Sequence, residues 1–77
     1  MKSYELFYEA VKNDVSERLA GFILSEDELN DYLKKEESQI KGAYEEYITK
    51  EDAEHLTDEA CFMSNVSTVS MCLEYCY

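Results

Sequence analysis

The chain has 77 residues, 45% of them hydrophobic and 13% aromatic, and carries a formal net charge of −11 at pH 7. That length allows one small domain with a marginal core, and the aromatic content separates it from disordered acidic sequences. The charge disfavours nucleic acid and anionic membranes as direct partners and favours a basic protein surface.

Proline is absent and glycine occurs only at positions 21 and 42, so turn residues are scarce and long helices are expected rather than sheet. The N-terminus lacks the basic-then-apolar pattern of a secretion signal. The uncharged run Ala60–Leu73 spans 14 residues and includes four Ser/Thr and one Asn, too short and too polar for a bilayer. A cytoplasmic location follows as the expectation, with Cys61, Cys72 and Cys76 as free thiols.

In chain order, Tyr4, Phe7, Tyr8, Val11, Val15, Leu19 and Phe22 recur at helical spacing and form one apolar stripe. Ser3 is a suitable N-cap. Asp14 followed by Glu17 offers a second capping box, but the stripe stays in phase across Asn13-Asp14, so one helix over about 4–23 is predicted. Leu6 and Leu24 lie off the stripe.

Ser25-Glu26-Asp27-Glu28 is a capping box, with three carboxylates at the positive end of the helix dipole. It opens a predicted second helix over 26–48, with the stripe Leu29, Tyr32, Leu33, Ile40, Ala43, Tyr44 and Tyr47. Glu36 falls inside that stripe, where a core residue is expected. Asp27, Asp31, Lys34, Lys35, Ser38, Lys41 and Glu45 occupy the opposite face. Asp31–Lys35 and Glu37–Lys41 have the favourable i,i+4 order, worth about 0.2–0.5 kcal/mol each. Gly42 marks either a bend or a close helix crossing.

Residues 49–57 form an acidic connector, and Thr57 caps a third helix over 58–76 with Asp58 and Glu59 in its first turn. Phe62, Val66, Val69, Leu73, Cys76 and Tyr77 make its stripe, flanked by Met63. Three helices of similar length predict an all-α fold, an antiparallel three-helix bundle spanning the whole chain.

Catalytic chemistry finds little support. Adjacent carboxylates such as Glu36-Glu37, Glu45-Glu46, Glu51-Asp52 and Asp58-Glu59 point about 100° apart on a helix and face water, without the pocket that separates two pKa values. His55 is the single histidine and lies in the acidic connector, so no cysteine has an obvious base. Four zinc ligands would require His55 and all three cysteines, and Cys61 and Cys72 are about 16 Å apart along one helix. No enzyme activity, metal or cofactor is expected.

The charge distribution is more informative. Residues 26–59 hold 13 of the 18 carboxylates against four lysines, nine of the eleven net negative charges. The simplest role of these acids is solubility. The sharper one is recognition of a basic nucleic-acid-binding site, with helix carboxylates standing where phosphates would lie. The candidate partner-binding residues are Glu26, Asp27, Asp31, Glu36, Glu45, Glu46, Glu51, Asp52 and Glu54. Glu26–Asp31 also serve capping, and Lys34, Lys35 and Lys41 dilute the middle. The strongest field is therefore expected over residues 45–59. Seven tyrosines are expected to line core edges with hydroxyls toward water. They also offer a protein-binding surface.

In size, charge, helix content and density of Tyr and Glu, the chain resembles the small acidic helical accessory proteins of bacteriophages and mobile elements. Asp31-Tyr32-Leu33-Lys34-Lys35-Glu36 and Met71-Cys72-Leu73-Glu74-Tyr75-Cys76-Tyr77 are similar to segments of Firmicute mobile-element proteins. Anti-restriction and anti-CRISPR inhibitors are the best-known functional members of that group. The resemblance implies a non-enzymatic inhibitor of a nucleic-acid-binding enzyme, in the manner of a DNA mimic, and no catalytic residues. The alternative is a small structural or adaptor module that binds a partner, or a second copy as a homodimer, through a Tyr/Cys-rich helix surface.

Overall fold

The computed structural model describes residues 1–49 and 57–77, and these are helical with short connections. The helices are α1 (Tyr4–Arg18), α2 (Glu26–Lys35), α3 (Glu37–Thr49) and α4 (Asp58–Cys76). The all-α class is as expected, but the three-helix bundle is corrected to four helices because the predicted second helix is two.

Phe7 in α1 meets Phe62 early in α4 at 5.6 Å, and Arg18 at the end of α1 reaches Glu74 near the end of α4 at 3.2 Å. The two helices therefore run the same way. Tyr32 of α2 bonds to the Leu73 carbonyl, and Tyr47 of α3 bonds to Asp58. Hence α2 and α3 run back, in succession, from the far end to the start. The molecule is an elongated bundle of 40 × 19 × 18 Å.

Local rules account for the helix starts. Ser3, Ser25 and Thr57 each stand in extended backbone and accept from the amide three residues on, Leu6, Glu28 and Ala60. Glu28 reaches back in the manner of a capping box, but to the Leu24 amide at 3.4 Å. Replacing Ser25 with alanine is expected to cost about 1 kcal/mol. A urea titration checks this, and an unchanged midpoint would show that the carboxylates of the first turn suffice.

The helix ends depart from expectation. α1 runs unbroken through Asn13-Asp14, and Asp14 pairs with Arg18 at 3.2 Å rather than capping. It stops at Arg18 instead of residue 23: Phe22 and Ile23 both donate to the Leu19 carbonyl, which curls the chain toward the Ser25 cap. Phe22, expected on the stripe, is consequently 68% exposed.

The second break falls at Glu36, the acid that interrupts the apolar stripe. Its amide closes α2 on the Tyr32 carbonyl, and its own carbonyl accepts from Gln39 and Ile40 to open α3. The Glu36 carboxylate also takes the Gln39 side-chain amide at 2.7 Å. Glu36 thus ends one helix and starts the next, which explains a half-buried acid at a core register. Gly42 is neither bend nor crossing: a Cβ there would meet nothing within 4 Å.

The core is one cluster that includes Phe7, Val11, Val15, Leu19, Leu29, Leu33, Ile40, Tyr47, Phe62, Val66, Val69 and Leu73. Cys61, Asn65 and Ser70 are also buried, beyond the predicted stripe of α4. Cys76 and Tyr77 were expected on that stripe and are exposed, although the Tyr77 ring still meets Tyr32 of α2 edge-on at 4.9 Å. At the N-terminal end, Phe7 lies 5.5 Å from Tyr44, 6.2 Å from Tyr47 and 5.6 Å from Phe62.

Candidate functional site

The nine candidate acids do not form one surface. Glu26, at the start of α2, turns to α1 and accepts from Lys12 Nζ at 3.1 Å. That bond, the largest cause, holds the Lys12 pKa above its ordinary value. Glu26 is therefore already paired and ties α2 to α1. Glu36 is likewise engaged, at the break between α2 and α3.

Asp27 and Asp31 on α2, and Glu45 and Glu46 on α3, are exposed and pair with no cation among the described residues. The two pairs sit on opposite sides of the Glu36 break. The expected Glu37–Lys41 pair forms, at 3.8 Å, whereas Asp31–Lys35 does not. Lys34 and Lys35 lie in the last turn of α2, where the negative end of the dipole favours them. Glu51, Asp52 and Glu54, with His55, lie outside the described residues.

Three cations, Lys12, Arg18 and Lys41, are paired with acids of the fold, while Lys34 and Lys35 are exposed and unpaired among the described residues. Lys12 is held by Glu26. Arg18 bonds Asp14 and Glu74, both at 3.2 Å, and the Glu74 bond is the first cause of its raised pKa. Lys41 faces Glu37, and Lys2 lies 5.5 Å over the Phe62 ring. Among the described residues the exposed unpaired acids outnumber the exposed unpaired cations Lys34 and Lys35.

The tyrosines act differently from expectation. Five of the seven hydroxyls donate to protein groups: Tyr4 to Glu37, Tyr32 to the Leu73 carbonyl, Tyr44 to the Lys2 carbonyl, Tyr47 to Asp58 and Tyr77 to Glu28. Tyr47 Oη also receives the Lys2 amide at 2.8 Å. These bonds clasp the N-terminal segment and the helix ends, while the hydroxyls of half-buried Tyr8 and of Tyr75, 85% exposed, make no bond to the described residues.

Burial, then the Glu37 carboxylate, pushes the Tyr4 phenol up to about 12. Burial likewise raises Tyr8, Tyr32 and Tyr47, and the bond to Glu28 raises Tyr77. A raised folded-state pKa means that the folded chain keeps phenol protons which the unfolded chain gives up. Stability is therefore full below the ordinary value of 10.0 and falls as pH climbs toward about 12. Thermal melts across that window, followed together with tyrosinate absorbance, are expected to show the midpoint falling as the phenols ionise. A flat midpoint would contradict it.

The three cysteines are free thiols. Cys61 is buried, and Cys72 and Cys76 are exposed. Among the described residues, no three His, Cys, Asp or Glu side chains converge on a point suited to a metal ion. No helix of the described residues is long and apolar enough to cross a membrane.

One feature escaped the sequence. Between α3 and α4 lies a groove of about 330 Å³ lined by residues that include Gly42, Ala43, Glu46, Asn65, Thr68 and Val69. Its signal was present in Gly42-Ala43, small residues one turn before Glu46, and in Asn65, a polar residue beside the α4 stripe. A second feature is the exposed side of α4, where Met71 and Tyr75 stand one turn apart and no charge occurs between Glu59 and Glu74.

Comparison of the chain with protein-family models, curated proteins and solved structures finds no match.

Proposed function

We propose that the chain is a non-enzymatic protein-binding inhibitor that presents exposed carboxylates to a basic nucleic-acid-binding site on a target protein. The observation that supports this reading is the pairing pattern. Lys12, Arg18 and Lys41 are each bonded to an acid of the chain, while Asp27, Asp31, Glu45 and Glu46 are exposed and pair with no cation among the described residues. A cation-rich site would gain from those four without first breaking an internal pair. Glu26 and Glu36 leave the contact set, because each is already committed to holding the fold.

Such binding is electrostatic and hence screened. The target should be captured at about 50 mM salt and released by about 500 mM, as the Debye length contracts. Retention of the target at the higher salt would contradict this reading.

A second reading rests on the uncharged side of α4. Met71 is 45% exposed and Tyr75 is 85% exposed, in a helix whose lysine and arginine count is zero. An adaptor docking there would resist salt and would lose its partner when Met71 and Tyr75 are replaced with serine. The acidic reading predicts no effect of that double substitution.

A further inference from the structure

We propose that the groove between α3 and α4 is an arginine notch, in which a guanidinium from the basic partner donates to Asn65 Oδ1 on the floor and pairs with Glu46 at the rim. This rests on the acidic-surface reading above and assigns that partner a specific point of entry.

Three observations converge on the groove. The first is Asn65, which is 4% exposed yet lines the groove. Its Nδ2 donates to the Cys61 carbonyl at 2.8 Å and lies 3.8 Å from Cys61 Sγ. Its amide nitrogen is thereby engaged by Cys61, and among the described residues nothing donates to its Oδ1. That oxygen is not sealed from solvent, since among the described residues only Ser70 Oγ is a fully buried side-chain atom without a partner, so an N–H entering the groove would replace water at this acceptor.

The second is Gly42. It sits in the interior of α3, where glycine is a poor helix former. No positive φ requires it, and a Cβ there would meet nothing within 4 Å. Packing and backbone geometry thus have no need of glycine at this position. What its missing side chain provides is an open groove.

The third is Glu46, exposed at the edge of the same groove and unpaired among the described residues. Thr68 beside it has spent its hydroxyl proton on the Ser64 carbonyl at 2.9 Å, so it faces a ligand only as an acceptor. Apart from Gln39, whose side-chain amide donates to Glu36, and the weakly polar Cys72 thiol, the lining presents acceptors and no cation. A neutral apolar side chain would leave Asn65 Oδ1 without a donor. Lysine brings a compact point charge, whereas the planar guanidinium carries five donors in a fork that can serve the floor amide and the rim carboxylate together. The volume of about 330 Å³ is at the small end for ligand pockets and suits one long side chain.

The test is an NMR titration at low salt with acetylated hexa-arginine amide, and in parallel with hexalysine amide. It is carried out on the native chain and on Gly42→Leu, Gly42→Ala and Glu46→Gln. The arginine peptide should shift the Asn65 side-chain amide and the Gly42 and Glu46 backbone amides. Leucine should fill the notch and weaken binding by about tenfold, the scale of one lost charge-assisted contact. Alanine, which also favours the helix but is too small to fill the notch, should stay within about twofold, the scale of a surface change. Glu46→Gln removes only the rim charge and should weaken binding severalfold, which keeps the test independent of how Gly42→Leu folds. Equal binding of the two peptides in the groove would overturn the preference for arginine. Shifts confined to Asp27, Asp31 and Glu45, with undiminished binding to Gly42→Leu, would overturn the notch and leave the acidic surface standing. No binding at low salt anywhere on the chain would overturn both.

Discussion

Phe7→Ala should lower stability by about 3–5 kcal/mol, the usual cost of truncating a buried phenylalanine. Phe7 is 0% exposed and its ring meets those of Tyr44, Tyr47 and Phe62, so one side chain joins α1, α3 and α4. A chain of this size has a total stability of roughly 4–12 kcal/mol. The substitution therefore removes a large share of it, and the clasp around Lys2 goes with it because Tyr44 and Tyr47 hold that segment. Urea unfolding followed by circular dichroism measures the loss. A loss under about 1 kcal/mol would show that the N-terminal end collapses around the gap and that the aromatic cluster is not the centre of the core.

Reversing Asp27, Asp31, Glu45 and Glu46 to lysine should abolish recognition while leaving the fold intact. Each reversal adds two positive charges, so the net charge rises from −11 to −3. At low salt the affinity for a basic nucleic-acid-binding target should fall by about a hundredfold, roughly 3 kcal/mol, as attraction turns to repulsion at each contact. All four positions are exposed, helical and unpaired among the described residues. Lysine and glutamate are comparable helix formers, so Glu45→Lys and Glu46→Lys should each alter stability by no more than about 0.5 kcal/mol, whereas Asp27→Lys also gives up a carboxylate at the positive end of the α2 dipole, about 0.3–1 kcal/mol. Glu26→Lys behaves differently, because it places a second cation against Lys12 and loosens the junction of α1 with α2. Unchanged affinity in the fourfold variant, with melting also unchanged, would move the interface to the uncharged side of α4.

The parts of the fold governed by near neighbours in sequence were legible. The caps at Ser3, Ser25 and Thr57 depend on a hydroxyl three residues from an amide. α4 occupies the span 58–76 expected from its cap and stripe. The core positions of α1 follow from helical periodicity alone. Periodicity cannot report where a helix stops, because the arithmetic continues in phase whether or not the backbone does. Phe22 keeps the phase of α1 yet lies beyond its end, and Tyr44 and Tyr47 keep the phase of α2 across the Glu36 break. At both places a local hydrogen bond decided the outcome: the Leu19 carbonyl receives Phe22 and Ile23, and the Glu36 carbonyl receives Gln39 and Ile40. The acid within the apolar stripe was the visible sign of the second break.

The candidate site was less legible, since which acids are free depends on tertiary pairing. Glu26 and Asp27 are equivalent in sequence, but Lys12, 14 positions earlier, neutralises only Glu26. Arg18 and Glu74 meet across 56 positions. Nothing local indicates that Tyr47 would spend its hydroxyl on Asp58, and Gly42-Ala43 and Asn65, visible as small and polar residues, give no sign in sequence that they meet in one groove. The acidic stretch was visible as composition. Its division into acids that hold the fold and acids that face outward required the packed helices.

The most direct test is elution by competition. The chain is immobilised, proteins are captured from cells that carry it naturally, and the matrix is washed at low salt with duplex DNA or RNA. The captured target should be released by nucleic acid without any rise in salt, because both ligands need the same basic site. A target that stays bound under saturating nucleic acid would contradict the account, whatever its affinity for the chain.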